Sequence, residues 1–269
     1  MSPRRTAVAG LGAVGMPVVR ALAAGIDGLE LAAVSARDLA RARERMAGVA
    51  PGIPVVPAAG LADRADVIVE CVPKAAFAEV AASVIEAGRI LVTVSGAALL
   101  VHDDLVRRAG ETGARIVLAT GALLGLDAVR AAAEGEIAEI RMTTRKPPKS
   151  LKGAPYLAEH GIDIESLSGP LRVFEGTARE GAAGFPANVN VAAALGLAGI
   201  GPDRTRLEIW ADPGLERNTH EIAVDADSAR LHMKIENVPS DENPGTGKIT
   251  ALSVIAALRG LGAPLRVGT

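Results

Sequence analysis

Gly10-Leu-Gly12-Ala13-Val14-Gly15 constrains this chain more than any other stretch. An apolar run at residues 6–10 leads into it, and apolar residues at helical spacing follow over 13–24. Each glycine of a G-x-G-x-x-G pattern has its own geometric task. The first permits a tight turn, the second lets a phosphate approach the backbone, and the third lets helix and strand pack closely. The helix then starts with unpaired N–H groups and a partial positive charge, which suits a pyrophosphate. In strand–loop–helix context this is a dinucleotide-binding fingerprint. Gly10, Gly12, Ala13, Val14 and Gly15 are its predicted cofactor contacts.

The pattern predicts a βαβ unit, and the chain supplies its continuation. Strands are expected at 6–10, 29–34, 54–56, 66–72, 89–94 and 115–119, with helices at 13–24, 39–46, 75–87 and 99–112. The strand at 66–72 is apolar without alternation, as expected when both faces of a parallel sheet are covered. The implied architecture is α/β, an N-terminal Rossmann domain with a doubly wound parallel sheet. After residue 122 the pattern changes. A helix at 126–133 precedes a strand at 139–144, a polar loop at 145–153 and a small-residue helix opening at Phe185. Strands at 205–211, 218–224 and 229–236, separated by Asp212-Pro-Gly214 and Asp225-Ala-Asp-Ser228, predict an antiparallel meander. The second domain, 123–245, is therefore expected to be α+β with an antiparallel sheet. The domain at 1–122 is expected to be joined by a C-terminal helix at 246–262 that packs back on it.

Composition excludes several classes of function. Aromatic residues are 2% and the formal net charge is −2, so neither base stacking nor an electrostatic footprint supports nucleic-acid binding. No run of eighteen apolar residues is present, and the first residues lead directly into a strand; a membrane span is not expected, and the expected location is cytoplasmic. One cysteine, Cys71, can form neither an internal disulfide nor a cysteine zinc cage, and it reads as a small buried hydrophobe. Histidine and cysteine are too scarce and dispersed for a metal site.

The end of the second strand bears on cofactor choice. NAD-specific sites usually place a carboxylate there, on the ribose 2′-OH. Here the strand runs into Ser35-Ala-Arg37 with no carboxylate at its tip. Ser35 and Arg37 are expected to receive a 2′-phosphate, so NADP is accepted alongside NAD; Arg37 as a solvated helix flank is the alternative. Carboxyl ends of parallel strands border the cofactor crevice, which adds Val72, Pro73 and Ser95 as neighbours.

Strand alternation sorts the histidines. His220 shares a face with Ile222 and Val224, whereas His232 shares one with Lys234 and Glu236. His102 and His160 lie in polar helix-flanking contexts. His220 is thus either a general acid/base or a satisfied core histidine.

Several segments carry a more specific resemblance. Beyond the glycine loop these are Thr120-Gly-Ala-Leu-Leu-Gly-Leu-Asp127, Thr144-Arg-Lys-Pro-Pro148, Phe185-Pro-Ala-Asn-Val-Asn-Val-Ala192, Glu216-Arg-Asn-Thr-His-Glu221 and Glu242-Asn-Pro-Gly-Thr246. Together, in this order, the chain resembles the L-aspartate dehydrogenase family. The resemblance implies NAD(P)-dependent oxidative deamination of L-aspartate, a link to NAD biosynthesis, and His220 as the catalytic histidine. It also implies cofactor contacts at Ala122, Leu124 and Asn190, with Asn188 less favoured. Thr120 stands where the family has Ser, and Leu124 where a smaller residue is common. A dicarboxylate substrate calls for cationic donors; Arg145, Lys146, Lys149 and Lys152 are the richest cluster, with a solvated loop as the alternative. Asn218 and Thr219 are polar neighbours of His220. A homodimer is expected from the family and from the frequency of twofold assemblies. Homoserine dehydrogenase-like and dihydrodipicolinate reductase-like enzymes share this architecture, and a non-enzymatic nucleotide-binding protein could keep it; the Asn-Thr-His segment favours aspartate.

Overall fold

A computed structural model describes residues 2–243 and 245–268; Pro244, within the 242–246 segment, lies outside them. The chain divides into two compact units. The first takes the chain through Gly121 together with Thr250–Arg266, and the second takes Ala122–Ile249 and the residues from Val267 onward.

The first unit alternates strands and helices: β1 (Arg4–Ala9), α1 (Gly15–Ala24), β2 (Leu29–Ser35), α2 (Leu39–Ala47), β3 (Val67–Glu70), α3 (Lys74–Glu86), β4 (Ile90–Thr93), α4 (Gly96–Val101), α5 (Asp103–Thr112) and β5 (Arg115–Leu118). Its five strands are parallel in the order β2-β1-β3-β4-β5. Successive residues of each strand feed different cores. Val8, Val67, Val69 and Val92 pack with Val18, Leu22 and Met46 on one side; Ala7, Ala9, Ile68 and Leu91 pack with Phe77, Val84 and Leu105 on the other. That two-sided burial explains why β3 reads as an unbroken apolar run. The strand order reverses at β1 and β3, so the loops after these strands lie together at the switch point where doubly wound sheets bind ligands.

Two expectations for this unit are corrected. Residues 54–56 form no strand, only an isolated bridge between Val34 and Val55. Pro54 and Pro57 flank it, and neither has an N–H to extend a ladder. The helix expected at 99–112 is broken at His102, where ψ is 53°, because Asp103 and Asp104 open a new helix with acids in its first turn.

The second unit contains α6 (Leu126–Ala132), β6 (Ile137–Lys146), α7 (Pro155–Glu159), β7 (Leu171–Thr177), α8 (Ala178–Gly184), α9 (Asn190–Ala198), β8 (Thr205–Ala211), β9 (Asn218–Ala226) and β10 (Arg230–Asn237). The strand order is β10-β9-β6-β8-β7. β6 and β8 run parallel, and the other neighbours are antiparallel. The expected meander is therefore corrected: β9 and β10 form a hairpin, but β6 separates β8 from β9. The link from Asp212 to Arg217 is too long for a tight hairpin and long enough to step over one strand, about 10 Å at two strand spacings. α7, β7 and α8 had no expectation; Thr177 and Glu180 form a capping box that starts α8.

One face of this sheet is buried by Ile140, Met142, Leu207, Ile209, Ile222 and Val224. The opposite face carries Glu139, Arg141, Asp225, Arg230 and His232, all but Glu139 exposed. The last helix, α10 (Lys248–Gly262), contributes Val254 and Leu258 to the core containing Val8 and Leu22. No described helix is long and apolar enough to cross a membrane.

Candidate active site

The glycine loop joins β1 to α1. Gly10 has φ +95°, and its N–H donates to the Ser35 carbonyl at 2.7 Å, which ties the loop to the end of β2. A Cβ at Gly10 would be driven into the Cys71 carbonyl, and one at Gly15 into the Gly10 carbonyl. At Gly12, exposed, nothing lies within 4 Å of where a Cβ would stand. The loop is thus compressed against its own fold at both ends and open at its middle. Val14 caps α1 without a side-chain bond; Met16 N–H donates to the Gly12 carbonyl at 3.0 Å and Pro17 has no N–H, which leaves the Gly15 amide at the start of the helix for a ligand. These features fit a dinucleotide pyrophosphate. Arg45 of α2 donates to the Leu11 carbonyl at 2.6 Å, a loop contact without a sequence signal.

Ser35 is buried at the end of β2 and Arg37 is exposed after it. Asp38, the nearest carboxylate, is committed elsewhere: it caps α2 by accepting from Arg41 N–H at 3.0 Å. Beside the switch point, Glu70 ends β3 fully buried. It accepts from Val72 N–H at 2.9 Å and from the Thr93 hydroxyl at 2.6 Å, and that hydroxyl accepts from Ser95 N–H at 2.9 Å. Burial raises the Glu70 pKa against these hydrogen bonds. The carboxyl thereby fixes the backbone at Val72 and Ser95, while Pro73 is exposed. Cys71 is half-buried, and its thiol is pushed up by burial and by Glu70, so it is no nucleophile.

The covered face of the second sheet ends in polar side chains. Thr144 and His220 are register partners on β6 and β9, and Thr144 Oγ1 lies 3.1 Å from His220 Nδ1. Two residues further along β6 and on the same face, Lys146 directs Nζ to the carbonyl and Oδ1 of Asn188, both at 3.1 Å. Asn218 precedes His220 by one alternation on β9 and pairs with Asn237 on β10. Asn237 Nδ2 donates to the Ala122 carbonyl at 3.1 Å. His220 is 2% exposed and Lys146 4%. Burial, then the charge of Lys146, lowers the His220 pKa to about 3; burial alone lowers Lys146 to about 8. The imidazole is neutral at physiological pH and can accept a proton.

Of the expected basic cluster, only Lys146 joins this patch. Arg145 points to the other face, its guanidinium 4.6 Å from the centre of the Trp210 ring. Lys149 is exposed, and Lys152 pairs with Glu165 at 2.8 Å. Thr219 is buried on the opposite alternation from His220. Ala122 and Leu124 are half-buried, and Asn190 is the first residue of α9. His102 stacks on Phe77, His160 on Tyr156, and His232 is exposed. Among the described residues no group of three potential ligands gathers for a metal.

Asn237 and the inward Lys146 escaped the sequence because the strands were ended one and two residues early. Extending the alternation Ile140–Met142–Thr144 and Leu231–Met233–Ile235 by one step reaches both.

Comparison with known proteins bears on the whole chain. Residues 127–261 match the family described as aspartate dehydrogenase, C-terminal, and residues 10–119 match the NAD-binding domain of homoserine dehydrogenase. The chain is 52% identical to L-aspartate dehydrogenase 3 of Bordetella bronchiseptica, with 98% of this chain and 97% of that one covered. It is also 52% identical to an L-aspartate dehydrogenase of Bradyrhizobium diazoefficiens, over 100% of this chain and 95% of that one. In fold it is similar to the crystal structure of aspartate dehydrogenase from Thermotoga maritima, with a TM-score of 0.73 at 24% identity, covering 98% and 99% of the two chains. From its glycine loop to its last helix, this chain is a member of the aspartate dehydrogenase family.

Proposed function

We propose that the protein catalyses the reversible oxidative deamination of L-aspartate: L-aspartate, NAD(P)⁺ and water give oxaloacetate, ammonium, NAD(P)H and a proton, through iminoaspartate. The observation that carries this reading is the buried, neutral His220 beside Lys146, in a chain so similar to L-aspartate dehydrogenases over its full length. The pyrophosphate is held by Gly10, Gly12, Ala13, Val14 and Gly15, with Val72, Pro73, Ser95, Ala122, Leu124 and Asn190 as further cofactor contacts. A bound nicotinamide would supply the acceptor for the hydride of the substrate Cα.

The chain itself handles protons and orientation. Thr144 holds the imidazole by Nδ1. With Nδ1–H donated to Thr144, Nε2 is the basic atom and takes a proton from the substrate amine, or from the water that attacks the imine. Burial, then the charge of Lys146, keeps the imidazole neutral.

With Asp38 engaged as a helix cap, Arg37 and Ser35 accept the 2′-phosphate, and both NAD and NADP serve. We assign the enzyme to the cytoplasm, in supply of NAD biosynthesis, as a homodimer using the uncovered face of the second sheet; light scattering tests the dimer. The deciding assay follows absorbance at 340 nm with oxaloacetate and ammonia, against a panel of other keto acids, with NADH and with NADPH. Turnover confined to oxaloacetate is expected. Preference for another keto acid, or cofactor binding without turnover, would refute the reading.

A further inference from the structure

The polar end of the second sheet holds a cation without a counter-charge. Lys146 Nζ meets only neutral acceptors, the Asn188 carbonyl and Oδ1, and these take two of the ammonium's three donors. Among the described residues no carboxylate pairs with it, and burial alone accounts for its lowered pKa. A buried charge left unpaired is costly, and replacing it with an apolar chain of similar volume is often neutral or stabilising. The two hydrogen bonds to Asn188 are what the ammonium gives the fold; its charge is left without a structural partner.

A second observation lies on the same face. Asn218 Oδ1 and Asn237 Oδ1 are both buried without a hydrogen-bond partner. Asn218 and Asn237 are register partners, one alternation past His220, and Lys146 is one alternation past Thr144, the register partner of His220. Buried acceptors normally have donors. Lys146 and the Asn218 Oδ1, each one alternation along its strand from the Thr144–His220 pair, complement a molecule that brings both a carboxylate and an N–H donor, while the Asn237 Oδ1 lies against Gly247. The remaining basic residues of the 145–152 segment lie elsewhere: Arg145 is on the opposite face, Lys149 is exposed and Lys152 is paired with Glu165.

We propose that Lys146 receives a carboxylate of the substrate and sets the preference for an anionic amino acid. This assignment rests on the aspartate reading above and adds the residue that enforces it.

Lys146→Met keeps the aliphatic stem and removes the charge. The expected KM for L-aspartate rises by about 100-fold or more, as for one side of a buried charge pair removed. NADPH affinity, read by its fluorescence, stays within about twofold, and Tm is unchanged or raised. Calorimetric titration of the NADPH-bound protein with succinate supplies a readout independent of turnover: wild type binds, and Lys146→Met does not. If wild type binds succinate but turns over no aspartate, the functional reading fails and the Lys146 assignment stands. A succinate isotherm alike in both proteins, or absent from both, overturns the assignment. So does a variant that loses Tm and NADPH together with aspartate, which would make Lys146 a structural residue.

Discussion

In the first sheet every strand is covered on both sides, and the groups offered to a ligand belong mostly to the backbone: the loop at residues 10–15 and the amides at Val72 and Ser95. In the second sheet one face is covered, and that face ends in side chains: Thr144, Lys146, Asn218, His220 and Asn237. The buried ionisable groups differ in sign as well. The first sheet buries an acid, Glu70, and the second buries two bases. Backbone donors suit an anion that must be held alike in every turnover. Side chains suit a reaction in which a proton has to move.

The sharpest test of this division removes one side chain from the second sheet. His220→Ala is expected to lower kcat by about 10²–10⁴-fold while NADPH binding is retained. Equal loss of NADPH binding would show that the two sites do not separate as described. A change in the first unit should act the opposite way. Gly15→Ala, forced against the Gly10 carbonyl, is expected to cost about 1–3 kcal/mol of stability and to abolish cofactor binding. Gly12→Ala, with open space around it, is expected to leave Tm unchanged and weaken only NADPH binding. Denaturant titration with parallel fluorescence binding separates these outcomes.

The last test reads the pH dependence of Tm. The folded state holds the Glu70 proton more tightly than the unfolded chain does. Its stabilising share is therefore complete below about 4.5 and is lost as pH rises through the raised folded value. His220 and Lys146 hold their protons less tightly when folded. Stability should rise with pH between about 3 and 6.5 for His220 and between about 8 and 10.5 for Lys146. Lys146→Met should flatten the second rise, and Glu70→Gln should remove the opposing slope with a change of about 1 kcal/mol or less at neutral pH. A rise that persists in Lys146→Met assigns it to another group.

Legibility in the sequence follows the same division. Glycine spacing and unbroken apolar strands report backbone geometry directly, so the glycine loop and five of the six strands expected for the first sheet could be read, whereas 54–56, a short run between prolines, could not. His220 was legible through its alternation with Ile222 and Val224. Lys146 was legible only as one of four basic residues at 145–152: a lysine after Thr144-Arg looks like the start of a solvated loop, and nothing local shows that β6 continues through it and turns this one inward. Glu70 was hidden in plain view: an ionisable residue within an apolar strand is buried, but Thr93, the partner at the end of β4, is brought to it only by the pairing of β3 with β4. The place of β6 between β8 and β9 depends on a crossover through β7, α8 and α9, and pairing of that range leaves no short-range trace.

The return of α10 to the first unit carries a consequence for biosynthesis. Arg4 Nη1 donates to the Leu261 carbonyl, and Val254 and Leu258 complete the core begun by Val8 and Leu22. On the ribosome, the earliest strand must therefore wait for residues near 260 while the whole intervening unit is translated. Val8 and Leu22 are packed early by neighbours such as Val18 and Met46, but the side that Val254 and Leu258 complete stays open during that interval, and there the nascent chain is exposed to chaperones and proteases.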